Sequence, residues 1–77
     1  MDKLTADFIE AIERTSYHNA AEGEMYWREL DASRAAAKRL QELKTEMLRV
    51  HGRARTAEVI NATPNLCYFE LTLPDEE

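Results

Sequence analysis

From Asn19 to Gly52 the chain runs for more than thirty residues without a proline, in a pattern that only a helix accommodates. Tyr26, Leu30, Ser33, Ala36, Ala37, Leu40, Leu43, Met47, Leu48 and Val50 fall on one side of a 3.6-residue wheel. Arg28, Asp31, Ala35, Lys38, Arg39, Glu42, Glu46 and Arg49 fall on the other. Ala, Leu, Glu, Lys, Arg and Met dominate the stretch, and these lose little rotamer freedom in a helix. Asn19 with Glu22 three residues later resembles a capping box, and Gly52 after Arg49 and His51 suits a left-handed stop. At a rise of ~1.5 Å per residue such a helix spans roughly 50 Å.

A helix of that length overreaches what so short a chain can cover. With 77 residues there is one domain, and a chain this small buries only about 60–65% of its unfolded surface. Disulfides, a metal or oligomerisation are the usual supports. A single cysteine, Cys67, excludes an internal disulfide, and two separated histidines make a structural zinc site a poor expectation. Self-association is the support left, so a homodimer through the long helix is expected. No apolar run is long enough to span a bilayer, and Met1-Asp2-Lys3 lacks signal-peptide character. The expected setting is cytoplasmic, away from membranes.

Charge is distributed unevenly about the net value of −5. Residues 1–33 carry eight acids and three bases, residues 34–55 seven bases and two acids, and residues 56–77 five acids and no base. This acid–base–acid triblock can be satisfied in two ways. Two long helices laid antiparallel would set acidic halves against basic halves about a two-fold axis, with Ala36 and Ala37 allowing close approach at the crossing. Alternatively, an acidic first helix folds back on the basic half of its own chain.

That first helix is expected over 2–15, where Leu4, Phe8, Ile9 and Ile12 form a stripe and Asp2 or Thr5 can cap it. A break is placed in Thr15-Ser16-Tyr17-His18-Asn19, a polar run with two candidate caps. The second helix is expected over 19–51, its first turn weakened by Gly23. Trp27 points about 100° away from the apolar stripe, which makes it a candidate anchor for a partner. Beyond Gly52 the composition turns β-branched and aromatic. Residues 55–61 and 66–73, joined by Thr63-Pro64-Asn65, read as a β-hairpin in which Cys67, Phe69, Leu71 and Leu73 face inward and Tyr68, Glu70 and Thr72 outward. A short helix capped by Thr56 is the alternative for 56–62. Residues 74–77 form an acidic tail. The expected fold class is therefore α+β, mainly α: a short helix, a long amphipathic helix and a C-terminal hairpin, dimeric through the long helix.

Little in the chain points to chemistry. His18 and Glu22 stand four apart, but no third ligand lies at a telling spacing. His51 is better explained by the helix dipole, and Cys67 as a small apolar side chain. Two glycines leave no room for a phosphate loop. No catalytic residue, cofactor or metal is assigned. The basic surface of Arg34, Lys38, Arg39, Arg49 and Arg53 raises a nucleic-acid reading, yet thirteen flanking acids and the lack of interleaved aromatics disfavour it. The expectation is a non-enzymatic regulator or inhibitor that occupies a surface on another protein, of the kind frequent among phage and mobile-element accessory proteins. Its interaction candidates are Tyr26, Trp27, Leu30, Ala37, Leu40 and Met47. The runner-up is a nucleic-acid-associated regulator using residues 34–55.

Overall fold

A computed structural model describes residues 1–20 and 27–74, with 27–30 described by backbone alone. Two helices organise it: α1, Lys3–Ala20, and α2, Trp27–Ala62. There is no strand among the described residues, so the expected α+β class and its hairpin give way to an all-helical scaffold followed by an irregular strap, residues 63–74.

Asp2 caps α1. Its carboxylate accepts from the Thr5 amide at 3.0 Å and from the Thr5 hydroxyl at 2.7 Å, and its carbonyl accepts the first helical bond from Ala6. Phe8 and Ile12 of the stripe are fully buried, and Leu4 and Ile9 pack against the same cluster. The helix does not break at 15–19 but continues to Ala20. The polar residues there serve contacts across the fold and not caps. Thr15 Oγ1 donates to the Ala36 carbonyl at 3.3 Å, while Ser16 and Asn19 bond the strap. The second helix consequently cannot start at Asn19. Glu22 and Gly23 lie outside the described residues.

α2 is 36 residues long, and a straight helix of that length would measure about 54 Å. The molecule's longest dimension is 38 Å. The discrepancy is resolved at Gly52, whose φ of 84° and ψ of 169° belong to backbone that side-chain-bearing residues avoid. The expected stop is therefore in place, although its ψ is not that of a left-handed cap, and a second helical limb follows immediately. Thr56 Oγ1 bonds the Gly52 carbonyl at 2.8 Å across the first turn of that limb.

The limb 53–62 replaces the expected strand 55–61. Thr56, Val59 and Thr63 are buried and Ile60 partly so, a spacing of 0, 3, 4 and 7 that belongs to a helix. Its β-branched composition suggests a strand, but packing decides the state. The strap makes a single turn, closed by Leu71 N donating to the Cys67 carbonyl at 3.0 Å. Within it Cys67 and Leu71 are buried four apart, whereas Phe69 is exposed. The alternation expected over 66–73 fails at Phe69.

The topology follows from contacts. Thr5 meets Met47, Thr15 meets Ala36 and Asp2 meets His51, so α1 and the limb 27–51 are antiparallel. The limb 53–62 turns back beside α1, with Val59 and Ala62 lining a groove shared with Thr5, Ile9 and Glu13. The strap then descends along the helical hairpin: Leu66 lies at Ser16 and Asn19, Thr72 at Lys44 and Pro74 at Arg53. Asp2 and Pro74 thus lie at the Gly52 end, and residues 66–70 at the other. Each segment contributes to one core of Phe8, Ala11, Ile12, Leu40, Met47, Val59, Cys67 and Leu71. Large apolar side chains buried this way contribute about 1.5–3 kcal/mol each. Four buried threonines, at 5, 15, 56 and 63, all have hydroxyl partners.

Candidate protein-interaction surface

The strap carries four polar tethers from the helices, and each addresses its backbone. Ser16 Oγ accepts from Leu66 N at 3.0 Å, and Asn19 Nδ2 donates to the Leu66 carbonyl at 2.8 Å. Lys44 Nζ donates to the Thr72 carbonyl at 2.8 Å and Arg53 Nε to the Pro74 carbonyl at 3.1 Å. Cys67 Sγ sits 3.1 Å from Ser16 Oγ and donates to the Ile12 carbonyl at 3.4 Å. Burial pushes the Cys67 thiol above its ordinary range, against the lowering effect of Ser16. Partial burial lowers the Lys44 ammonium in the same sense, by disfavouring charge.

With Cys67 and Leu71 turned inward, the residues between and before them are turned outward. Tyr68 and Phe69 are each 83% exposed and Leu66 is 61% exposed. The Tyr68 and Phe69 rings stand edge to face, centroids 5.7 Å apart. Beside this knuckle lies an open concavity of about 520 Å³ lined by His18, Asn19, Ser33, Leu66, Tyr68, Phe69 and Glu70. Tyr17, also exposed, stacks edge-on against His18 at 5.6 Å. Scattered apolar residues on a surface mean little, but adjacent large rings held out by a tethered segment form a patch of the kind that partners bury.

Of the residues singled out from sequence for protein interaction, those whose side chains are described lie elsewhere. Leu40 and Met47 have no exposure, being packed in the monomer's own core, and Ala37 is half-buried beside them. Leu40, Leu43 and Met47 of the stripe expected as a dimer seam thus pack within one chain against residues of α1 and the strap, whereas Val50 is half exposed. The close approach expected at Ala36 occurs between α1 and α2, where Thr15 reaches the Ala36 carbonyl. Tyr26 lies outside the described residues, as do the side chains of Trp27 and Leu30. Leu66 and Phe69 were not anticipated as surface. Tyr68, expected on the outward face, is there.

The basic block is largely engaged at home. Arg49 pairs with Glu46 at 2.5 Å, Arg55 with Glu58 at 2.6 Å and Arg34 with Asp31 at 3.8 Å, all on their own helix. Lys44 and Arg53 hold the strap. Lys38 and Arg39 are exposed. Among the described residues, the other bases of the block therefore meet acids of their own helix or backbone carbonyls of the strap. At the Gly52 end, His51 Nε2 lies 3.2 Å from Asp2 Oδ2. The Thr5 hydroxyl and amide, helped by His51, hold the Asp2 carboxyl well below the usual carboxylate range.

Among the described residues no three His, Cys, Asp or Glu side chains gather as metal ligands, and no helix is long and apolar enough to cross a membrane. What the fold and surface define is a strapped helical hairpin with an aromatic knuckle. Comparison with protein-family models, with curated proteins and with solved structures finds no match.

Proposed function

We propose that this chain is a non-enzymatic regulator that acts by occupying an apolar cleft on another protein with the knuckle Leu66, Tyr68 and Phe69. The observation that carries the reading is the outward display of two rings, each 83% exposed, by a segment fixed at both ends. Pre-positioned aromatic side chains are the usual anchors of protein interfaces, because they bury much area at small entropic cost. The test compares wild type with Tyr68→Ser/Phe69→Ser as bait in a host lysate, after circular dichroism has shown equal helicity. A protein retained by wild type and lost from the variant supports the reading. An unchanged retained set overturns it.

The runner-up places nucleic acid on the basic block, and the exposure of Lys38 and Arg39 is what favours it. A Lys38→Ala/Arg39→Ala variant that loses a steeply salt-dependent affinity for nucleic acid would move the assignment there.

A further inference from the structure

We propose that the concavity beside the knuckle receives one arginine side chain of the partner protein, seated between the Tyr68 and Phe69 rings and the Glu70 carboxylate. The inference rests on the knuckle being the binding surface and adds the chemistry of what meets it. The concavity, of about 520 Å³, takes aromatic side chains from two elements, His18 from α1 and Tyr68 and Phe69 from the strap. The Tyr68 and Phe69 rings stand at 90° with centroids 5.7 Å apart. Perpendicular rings make a corner and not a platform. A flat neutral group stacks best on a platform, whereas a cation in a corner faces the negative side of both rings at once. The backbone that presents the corner is already fixed. Thr72 Oγ1 donates to the Tyr68 carbonyl and Leu71 N to the Cys67 carbonyl, each at 3.0 Å, and Ser16 and Asn19 hold Leu66 at its amide and its carbonyl. A receptor ordered beforehand loses little entropy on binding.

Charge points the same way. Glu70 lines the concavity, and no lysine or arginine does. Asp7, Glu10, Asp31, Glu46 and Glu58 each have a lysine or arginine close by on their own helix, whereas no base pairs with Glu70 among the described residues. The carboxylate is near enough to the core to be felt there: burial first, and then the charge of Glu70, push the Cys67 thiol above its ordinary range. Two aromatic faces and one unpaired carboxylate complement a cation that is both flat and charged. An ammonium is compact and strongly hydrated, and an open concavity does not strip it of water. A guanidinium is planar and weakly hydrated, so it lies on one ring while its N–H groups donate to a carboxylate. A partner that closes over the knuckle also covers this concavity, because Leu66, Tyr68 and Phe69 belong to both. The cation is therefore an arginine on the rim of the cleft that takes the knuckle, desolvated by the same closure.

The test uses the peptide acetyl-Gly-Arg-Gly-amide and its citrulline analogue, which keeps the shape of the arginine side chain and lacks its charge. The full-length protein, labelled with nitrogen-15, is titrated with each peptide at constant ionic strength, and its amide signals are followed. The expected result is a saturable, millimolar response to the arginine peptide at 66–70 and at His18, Asn19 and Ser33. The citrulline peptide should bind at least about threefold more weakly, the scale of a cation–π contact at an exposed site. Glu70→Gln, with helicity unchanged by circular dichroism, should bring the two affinities together, and Tyr68→Ser/Phe69→Ser should abolish saturation. Equal affinities of the two peptides for the wild type overturn the proposal, as does the absence of a saturable response to the arginine peptide or a preference that survives Glu70→Gln. The lysate experiment separates this result from the knuckle itself. A protein lost from Tyr68→Ser/Phe69→Ser but retained undiminished by Glu70→Gln leaves the knuckle standing and overturns its arginine. An arginine preference in the titration, with a retained set unchanged by Tyr68→Ser/Phe69→Ser, overturns the knuckle as a partner surface and not the guanidinium site.

Discussion

Gly52 shows how much one residue decides here. An added Cβ would meet nothing within 4 Å, so the requirement for glycine comes from its φ of 84° and ψ of 169° and not from crowding. Gly52→Ala should therefore destabilise by about 1–3 kcal/mol through backbone strain. Chemical denaturation will show it, and a shift as small as that of Ala54→Gly would mean that the bend relaxes freely. Asp2 makes a second prediction. Its folded-state pKa lies below its ordinary value of 3.8, so its contribution is present above that value and is lost as pH falls towards the folded pKa. Asp2→Asn should leave a protein that is less stable at neutral pH and whose acid unfolding limb is flatter. A parallel acid limb in the two proteins would separate the carboxylate from the cap.

At the scale of elements, periodicity proved a better guide than composition. Leu4, Phe8 and Ile12, and then Leu40, Leu43 and Met47, were legible as apolar stripes because a helix repeats apolar positions at three and four, but the second stripe pointed to a dimer seam and not to a core shared with α1. The same spacing was present in Thr56, Val59, Ile60 and Thr63, but their β-branched character pointed to a strand. Ser16 and Asn19 were legible as hydrogen-bonding side chains and not as strap tethers, because their partner, Leu66, is some fifty residues away. Phe69 could not be placed outside by any pattern; only the position of Cys67 and Leu71 in the core shows it. Leu40→Ala, by removing a fully buried side chain, should cost about 2–5 kcal/mol. The measurement is urea unfolding of the monomer, and a variant that changed only self-association would contradict the internal packing. For the strap, Cys67 is a built-in reporter, since a thiol without exposure reacts only when the segment lifts. Asn19→Ala removes a tether worth about 1 kcal/mol, so labelling by a thiol reagent should accelerate about fivefold. An unchanged rate would mean that the strap opens without breaking that bond.

For the whole molecule, the charge triblock contributes little to holding the fold together. The exposed ion pairs within its helices are local and individually worth roughly 0–1 kcal/mol. None of these pairs joins α1 to α2; among the described residues the charged contact between them is that of Asp2 with His51. Raising salt should therefore lower the midpoint of thermal unfolding only slightly, a few degrees at most on this scale of energies. A collapse of the fold at high salt would show that long-range charge, and not the core around Phe8 and Met47, holds the hairpin closed.

The polarity of the molecule has a practical side. Asp2 lies against His51 and Pro74 against Arg53, at the pole formed by the Gly52 bend, whereas Leu66, Tyr68 and Phe69 project near His18 and Ser33 at the far pole. Anything joined to either end of the described chain, whether an affinity handle, a bead linker or a bulky fused domain, is carried at the back of the molecule. The knuckle then faces outward like the head of a rivet whose shank is held in the scaffold.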